Sequence, residues 1–135
     1  MPYPACPIDI TQDDVDFVVQ VDSIGDPRQI VSGITRPTAK PEGLAIAAAA
    51  ARVIAASGLL EDGFSFQTGA GGISLATAAC LRDLMAARGT VGSFAAGGIT
   101  GMIVAMFRAG LFRSLLDVQC FDLEAVASYR IDAAH

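Results

Sequence analysis

One joint occurs twice in this chain, and it restricts the fold more than any other feature. It runs Gly63-Phe64-Ser65-Phe66-Gln67-Thr68-Gly69-Ala70-Gly71-Gly72-Ile73-Ser74-Leu75-Ala76, with a shorter echo at Ser93-Phe94-Ala95-Ala96-Gly97-Gly98-Ile99-Thr100-Gly101. In each copy an aromatic, strand-like run meets clustered glycines, then Gly-Gly-Ile, a small hydroxyl residue and a helix-forming segment. Glycine permits positive φ and close backbone approach, and the first N–H groups of a helix have no acceptor of their own. Such a joint offers donors to an anion or an oxyanion.

The segments around the joints set the architecture. Phe64–Thr68, Val91–Ala95 and Leu115–Phe121 read as strands, and Ile73–Arg88 and Ile99–Arg108 as helices, each ended by a basic residue close to a glycine. Strand, helix, strand, helix, strand predicts an α/β fold with a mostly parallel sheet, flanked by helices on right-handed crossovers. Ligands in such sheets bind at the carboxyl ends of the strands, where both glycine clusters fall. Upstream, residues 1–12 hold three prolines and read as an extended arm before the acidic turn Asp13-Asp14. Val15–Val21 has the β-branched and aromatic content of a buried strand, and a second short strand with a bulge at Gly33 is expected between Arg28 and Arg36. Thr38 to Glu42 starts an alanine-rich helix that stops at about Ser57-Gly58, and a last helix begins at Asp122 with little to pack on.

A length of 135 residues with 53% hydrophobic content is one domain's worth with a real core. The net charge of −5 leaves no electrostatic footprint for nucleic acid. The mean hydropathy of +0.51 raises the question of a membrane span at Gly43–Leu60. Arg52 in its middle and the dominance of alanine instead predict a buried helix lying close on a sheet. No signal peptide is legible, and Cys6, Cys80 and Cys120, odd in number and far apart, form neither a disulfide framework nor a zinc motif. A cytoplasmic setting fits this usage.

The candidate chemistry is correspondingly narrow. A single histidine, His135, gives no basis for a His-centred triad, and no metal-ligand spacing is visible. Gly69-Ala70-Gly71-Gly72 suggests a dinucleotide fingerprint, but Ser74 stands where its third glycine belongs and no acidic residue follows at the expected distance. The glycines are also explained without ligand, as tight turns for helix-to-strand packing. Asp117 lies in an apolar strand and needs a partner there. Arg28 and Arg36 flank the polar turn and short strand that follow the first strand, and are available to a carboxylate substrate or to solvent. Cys80 and Cys120 read as core residues, since no basic neighbour argues for a thiolate.

Val21–Pro27, Ile30–Gly33, both glycine joints and Leu115–Asp122 together resemble, in order and spacing, the alpha subunit of citrate lyase. The family's subunit is much longer, so the resemblance implies that residues 1–135 form a single α/β domain or part of one, with a CoA-transferase-like (NagB/RpiA-like) fold. It further implies citrate CoA-transferase activity, in which the acetyl thioester on an acyl carrier subunit is exchanged for citrate to give citryl thioester and acetate. The cofactor would be the phosphopantetheine group of that carrier (gamma) subunit, with no metal in this chain. The beta subunit would be a partner, and a homo-oligomer is compatible.

Broader relatives carry a glutamate nucleophile on the loop that corresponds here to Ala95-Ala96-Gly97-Gly98, which has no carboxylate. Direct attack by a citrate carboxylate is then expected, with the N–H groups of Gly71, Gly72, Gly97 and Gly98 as oxyanion donors. Arg36, Gly69, Ser74 and Thr100 are the candidate substrate contacts, Ser74 and Thr100 also being candidate helix caps. Two other classes stand beside this one: an assembly module of a larger subunit, and a fragment of an NAD-binding oxidoreductase.

Overall fold

The computed structural model describes residues 10–26, 28, 35–133 and 135. Its centre is a parallel sheet of three strands, β1 (Ser65–Gln67), β2 (Gly92–Ile99) and β3 (Phe112–Cys120), lying side by side in chain order. Between and around them run α1 (Pro41–Ala56), α2 (Gly72–Arg88), α3 (Gly101–Arg108) and α4 (Leu123–Ile131). Steps that all advance in one direction through right-handed crossovers carry their crossover helices on one face. The core lies under that layer, where Ala95, Ile99, Phe112 and Leu115 of the sheet join Leu81, Met85, Ile103 and Met106 of the helices. Burial of each large side chain contributes about 1.5–3 kcal/mol.

Local chemistry explains the helix ends. Pro41 occupies the first turn of α1, where its missing N–H costs nothing, and Gly58 follows the helix at φ +78°. Gly89 closes α2 in the left-handed region at φ 69°, directly after Arg88. Gly43, Ala47 and Ala51, four residues apart, are the buried stripe of α1. This stripe packs on α2, whereas the alanine content had suggested packing on the sheet. A Cβ on Gly43 would stand 3.4 Å from Ile73 of α2 and within 3.1 Å of the Thr38 side chain.

Two glycines of β2 serve as seats for aromatic rings. The Phe112 ring lies against Gly92 and goes on to contact Phe64 and stack with Phe66, at centroid distances of 5.8 and 6.2 Å. The Phe121 ring covers Gly98 in the same way. A side chain at either position would collide with the ring.

Several expectations are corrected. Val15–Val21 is not in the sheet: Phe17 and Val18 are 87% and 89% exposed. Its composition suits a pleated, half-buried surface, but no strand among the described residues pairs with it. Asp13 and Asp14 do form a turn, the 3-10 turn Gln12–Asp14. β2 continues to Ile99, so Ala95–Gly98 is strand and not loop. α4 does find a packing surface, on α3 and β3, with Ala125 and Ser128 fully buried. The expected strand with its Gly33 bulge and most of the expected N-terminal arm lie outside the described residues. Among the described residues no helix is long and apolar enough to cross a membrane.

Candidate functional site

Three strand-to-helix junctions meet at the carboxyl edge of the sheet, and one carboxylate closes two of them. Asp122, 3% exposed, is the N-cap of α4 and accepts from the Ala125 N–H at 2.9 Å. Its two oxygens also accept from the N–H of Gly101, the first residue of α3, at 2.9 and 2.8 Å. A negative charge on two helix N-termini is favourable at both. Thr100, the N-cap residue of α3, therefore makes no side-chain cap, and its buried hydroxyl has no partner among the described residues.

The third junction is open. Gly71 is the N-cap of α2 and has no side chain to offer, so the first N–H groups of that helix, from Gly72 to Ser74, keep no intrahelical acceptor. Ser74 turns its hydroxyl back over the loop, where a Cβ on Gly69 would meet it at 3.4 Å. Of the three helices that follow a strand, α2 is the one whose positive end no side chain of the described residues neutralises.

A strap crosses this edge. Thr35 donates its hydroxyl to Asp122 at 2.5 Å, and Thr38 donates its backbone N–H to the Gly72 carbonyl at 2.8 Å. Arg36 is exposed between these two fastenings. A Cβ on Gly72 would lie 3.2 Å from the Thr38 nitrogen and 3.4 Å from the Arg36 carbonyl. Glycine at 72 thus lets the strap lie directly on the open helix start, bringing Arg36, Gly69, Gly71, Gly72 and Ser74 to one place.

Gly97 and Gly98 sit differently. Both are paired with β3, opposite Asp117 and Gln119, and Gly97 takes φ +95°. On their other side β1 stops at Gln67, opposite Ala96, and the Gln67 side chain closes on Gly97. Among the described residues, no strand lies beside β2 on that side beyond Ala96. Because successive residues of a parallel strand direct their hydrogen bonds to opposite sides, one N–H of this pair at most faces the open side.

A second polar cluster lies on β3. The Asp117 carboxylate, with its side chain 2% exposed, accepts from the Gln119 N–H at 2.7 Å, from the Cys120 thiol at 2.6 Å and lies 3.2 Å from His135 Nε2. The partner that an aspartate in an apolar strand requires is supplied three times over. Burial, then the bonded carboxylate, push the Cys120 thiol up to about 12, so it is protonated at neutral pH. The His135 ring is buried, its Nδ1 without a partner among the described residues, with the Tyr129 ring edge-on at 5.6 Å.

The family model for the citrate lyase alpha subunit matches residues 1–135, the whole chain. The chain belongs to that family. It is 48% identical to the citrate lyase alpha chain of Haemophilus influenzae over 133 residues and 47% identical to that of Escherichia coli over 135. These alignments cover 98% and 100% of this chain but 27% and 26% of those relatives, so it spans about a quarter of their length. It also superposes, with a TM-score of 0.76 and 47% identity, on a crystal structure assigned as the citrate lyase alpha subunit of Streptococcus mutans in complex with citrate, covering 27% of that chain.

Within this citrate lyase alpha fold, sequence reasoning pointed to the α2 joint and Arg36 as candidates and gave no sign of two arrangements that the structure shows, the double cap at Asp122 and the cluster of Asp117, Cys120 and His135. Asp122 was visible as the start of a helix, yet nothing local announced that it also caps α3, twenty-one residues earlier. The meeting of Asp117, Cys120 and His135 depends on a strand irregularity and on the path of α4, neither of which has a sequence signature.

Proposed function

We propose that this chain supplies part of a citrate CoA-transferase site, in which citrate replaces acetate on a thioester carried by the phosphopantetheine arm of an acyl carrier partner. The observation that carries this reading is the uncapped N-terminus of α2 with Arg36 strapped across it, in a chain whose relative is described in complex with citrate. Citrate is a polyanion and this chain carries a net charge of −5, so binding needs local positive potential. An unneutralised helix start and a guanidinium provide it.

The reaction consists of two acyl transfers. A citrate carboxylate oxygen attacks the acetyl thioester carbonyl, forming a C–O bond; the tetrahedral oxyanion collapses, the C–S bond breaks and thiolate leaves, giving a mixed anhydride. That thiolate then attacks the citryl carbonyl, and the second oxyanion expels acetate to leave citryl thioester. Both oxyanions need N–H donors, each worth about 3 kcal/mol when well placed. Gly72 and its neighbours at the start of α2 are suited to this, with Gly97 or Gly98 as a second donor from the open side of β2. The remainder of the barrier is a matter of holding two anionic reactants in line, which the strap serves.

The exposed Leu116 and Val118 on the edge strand β3, 51% and 83% accessible, support the companion reading that this piece works within a larger subunit, in a cytosolic complex with beta and gamma subunits. An NMR titration of the isotope-labelled chain with citrate, a CoA thioester and NAD tests the site. Shifts of the Gly69–Ser74 amides with citrate or thioester, and none with NAD, are expected. Shifts with NAD alone would overturn the transferase reading in favour of the oxidoreductase one.

A further inference from the structure

The cluster on β3 shares no residue with the α2 junction, and it brings a thiol, an imidazole and a carboxylate together. Asp117 and Cys120 are three residues apart, and in a regular strand an odd separation puts two side chains on opposite faces. Here the pairing skips from Gly97 opposite Asp117 to Gly98 opposite Gln119, leaving Val118 as an extra residue. This bulge turns the rest of the strand by one face, so that Cys120, opposite Ile99, shares the side of Asp117. Bulges re-aim side chains in this way and are frequent beside functional sites. His135 arrives on the same side after α4, its ring held edge-on by Tyr129.

We propose that Asp117, Cys120 and His135 form a binding site for a transition-metal dication of the zinc class. A thiol sulfur, an imidazole nitrogen and a carboxylate oxygen all lie within 4.8 Å of one another. Thiolate with imidazole selects zinc and cobalt, whereas magnesium and calcium take oxygen ligands. Bond lengths of about 2.0–2.3 Å to a tetrahedral ion place its ligand atoms about 3.3–3.8 Å apart. The Sγ to Oδ2 separation of 2.6 Å and the Nε2 to Oδ2 separation of 3.2 Å are those of the hydrogen-bonded form. The ion enters by parting Sγ from Oδ2 by about 1 Å, a move within the reach of side-chain rotation.

Asp117 Oδ1 keeps its bond to the Gln119 N–H, which fixes the carboxylate from behind. On binding, one proton leaves from Cys120 and the metal–sulfur bond replaces the S–H bond; the imidazole proton that Nε2 donates to Asp117 in the metal-free form moves to Nδ1, so that the Nε2 lone pair binds the ion. Among the described residues Nδ1 has no partner in the metal-free form. Three protein ligands leave a fourth position, and Cys120 is the partly exposed side from which water or a small ligand completes the shell.

The test uses cobalt(II) as the probe on the metal-free, reduced chain with Cys6→Ser and Cys80→Ser, so that Cys120 is the sole thiol. Expected are one-to-one binding, a sulfur-to-cobalt charge-transfer band in the near ultraviolet, tetrahedral ligand-field bands in the visible, and displacement by zinc(II). Adding Cys120→Ser abolishes the charge-transfer band. His135→Gln lowers the affinity by more than the roughly 100-fold that losing a supporting outer partner costs. Absence of the sulfur band from chain with a native far-ultraviolet circular dichroism spectrum, or unchanged affinity in His135→Gln, overturns the proposal. Should the double-serine chain lose its fold, zinc stoichiometry decides: the unsubstituted chain must bind one more zinc ion than Cys120→Ser alone, and equal stoichiometries refute the site.

Discussion

Both carboxylate oxygens of Asp122 accept from the Gly101 N–H, at 2.9 and 2.8 Å, while the same side chain caps its own helix at Ala125. One buried residue therefore fixes the starts of α3 and α4 and, through Thr35, one end of the strap. Removing it uncaps two helices at once.

Asp122→Ala is expected to destabilise the fold by about 2–4 kcal/mol, the sum of two strong N-caps. Asp122→Asn, which keeps an acceptor oxygen for one of them, is expected to lose about half as much. Urea denaturation followed by circular dichroism measures both. Equal, small losses below about 0.5 kcal/mol would mean that water replaces the carboxylate without penalty.

The Phe121 ring occupies the space that a side chain at Gly98 would need. Gly98→Ala is expected to cost about 1–3 kcal/mol through overpacking. Phe121→Ala in the same chain should recover part of that loss, because the two positions share one volume. The double-mutant cycle read from denaturation midpoints checks this, and strictly additive effects would show that the ring moves aside freely.

The parts of this fold that sequence made legible are those encoded by neighbours in the chain. Pro41 and Gly58 bracket α1, Arg88-Gly89 closes α2, and the two Gly-Gly-Ile joints mark strand ends within a few residues. The parts that were not legible depend on residues far apart. The β-branched run Val15–Val21 signals a strand, but pairing needs a neighbour that the sequence of the run does not specify. Gly97 and Gly98 read as a loop, since glycine normally weakens a strand. In the structure their lack of side chains instead makes room for Gln67 and Phe121. The candidate site divides in the same way: the glycine joint is local and was found, while its fastening to Asp122 spans 87 residues and was not.

The strap predicts an effect on binding that is separable from stability. Gly72→Ala places a methyl group 3.2 Å from the Thr38 nitrogen and 3.4 Å from the Arg36 carbonyl, which lifts the strap from the start of α2. Arg36→Ala removes a charge from an exposed position. Each is expected to weaken citrate binding by roughly 10–100-fold, equivalent to about 1.5–3 kcal/mol for a charge-assisted hydrogen bond. Arg36→Ala should leave the urea midpoint unchanged, since its side chain is solvated. Calorimetric titration with citrate beside denaturation curves separates the two effects, and citrate affinity that survives both substitutions would move the carboxylate contact elsewhere.

Cys120 gives the chain an alkaline limit. In the metal-free protein its thiol is raised from 9.0 to about 12 by burial first and then by the hydrogen bond to Asp117. Between those values the unfolded chain has lost the proton that the folded chain still holds, so the stabilisation is fully present below pH 9.0 and declines as pH rises toward about 12. Denaturation midpoints measured with chelator present should fall across that window, and Cys120→Ser, which has no titrating group there, should flatten the decline. Alkylation gives a second reading: because only the thiolate reacts, Cys120 should be modified by iodoacetamide far more slowly than an unfolded-chain cysteine at the same pH, and the difference should vanish in urea. Rapid alkylation of Cys120 in the folded chain at neutral pH would place a thiolate beside Asp117 and refute the protonated hydrogen bond.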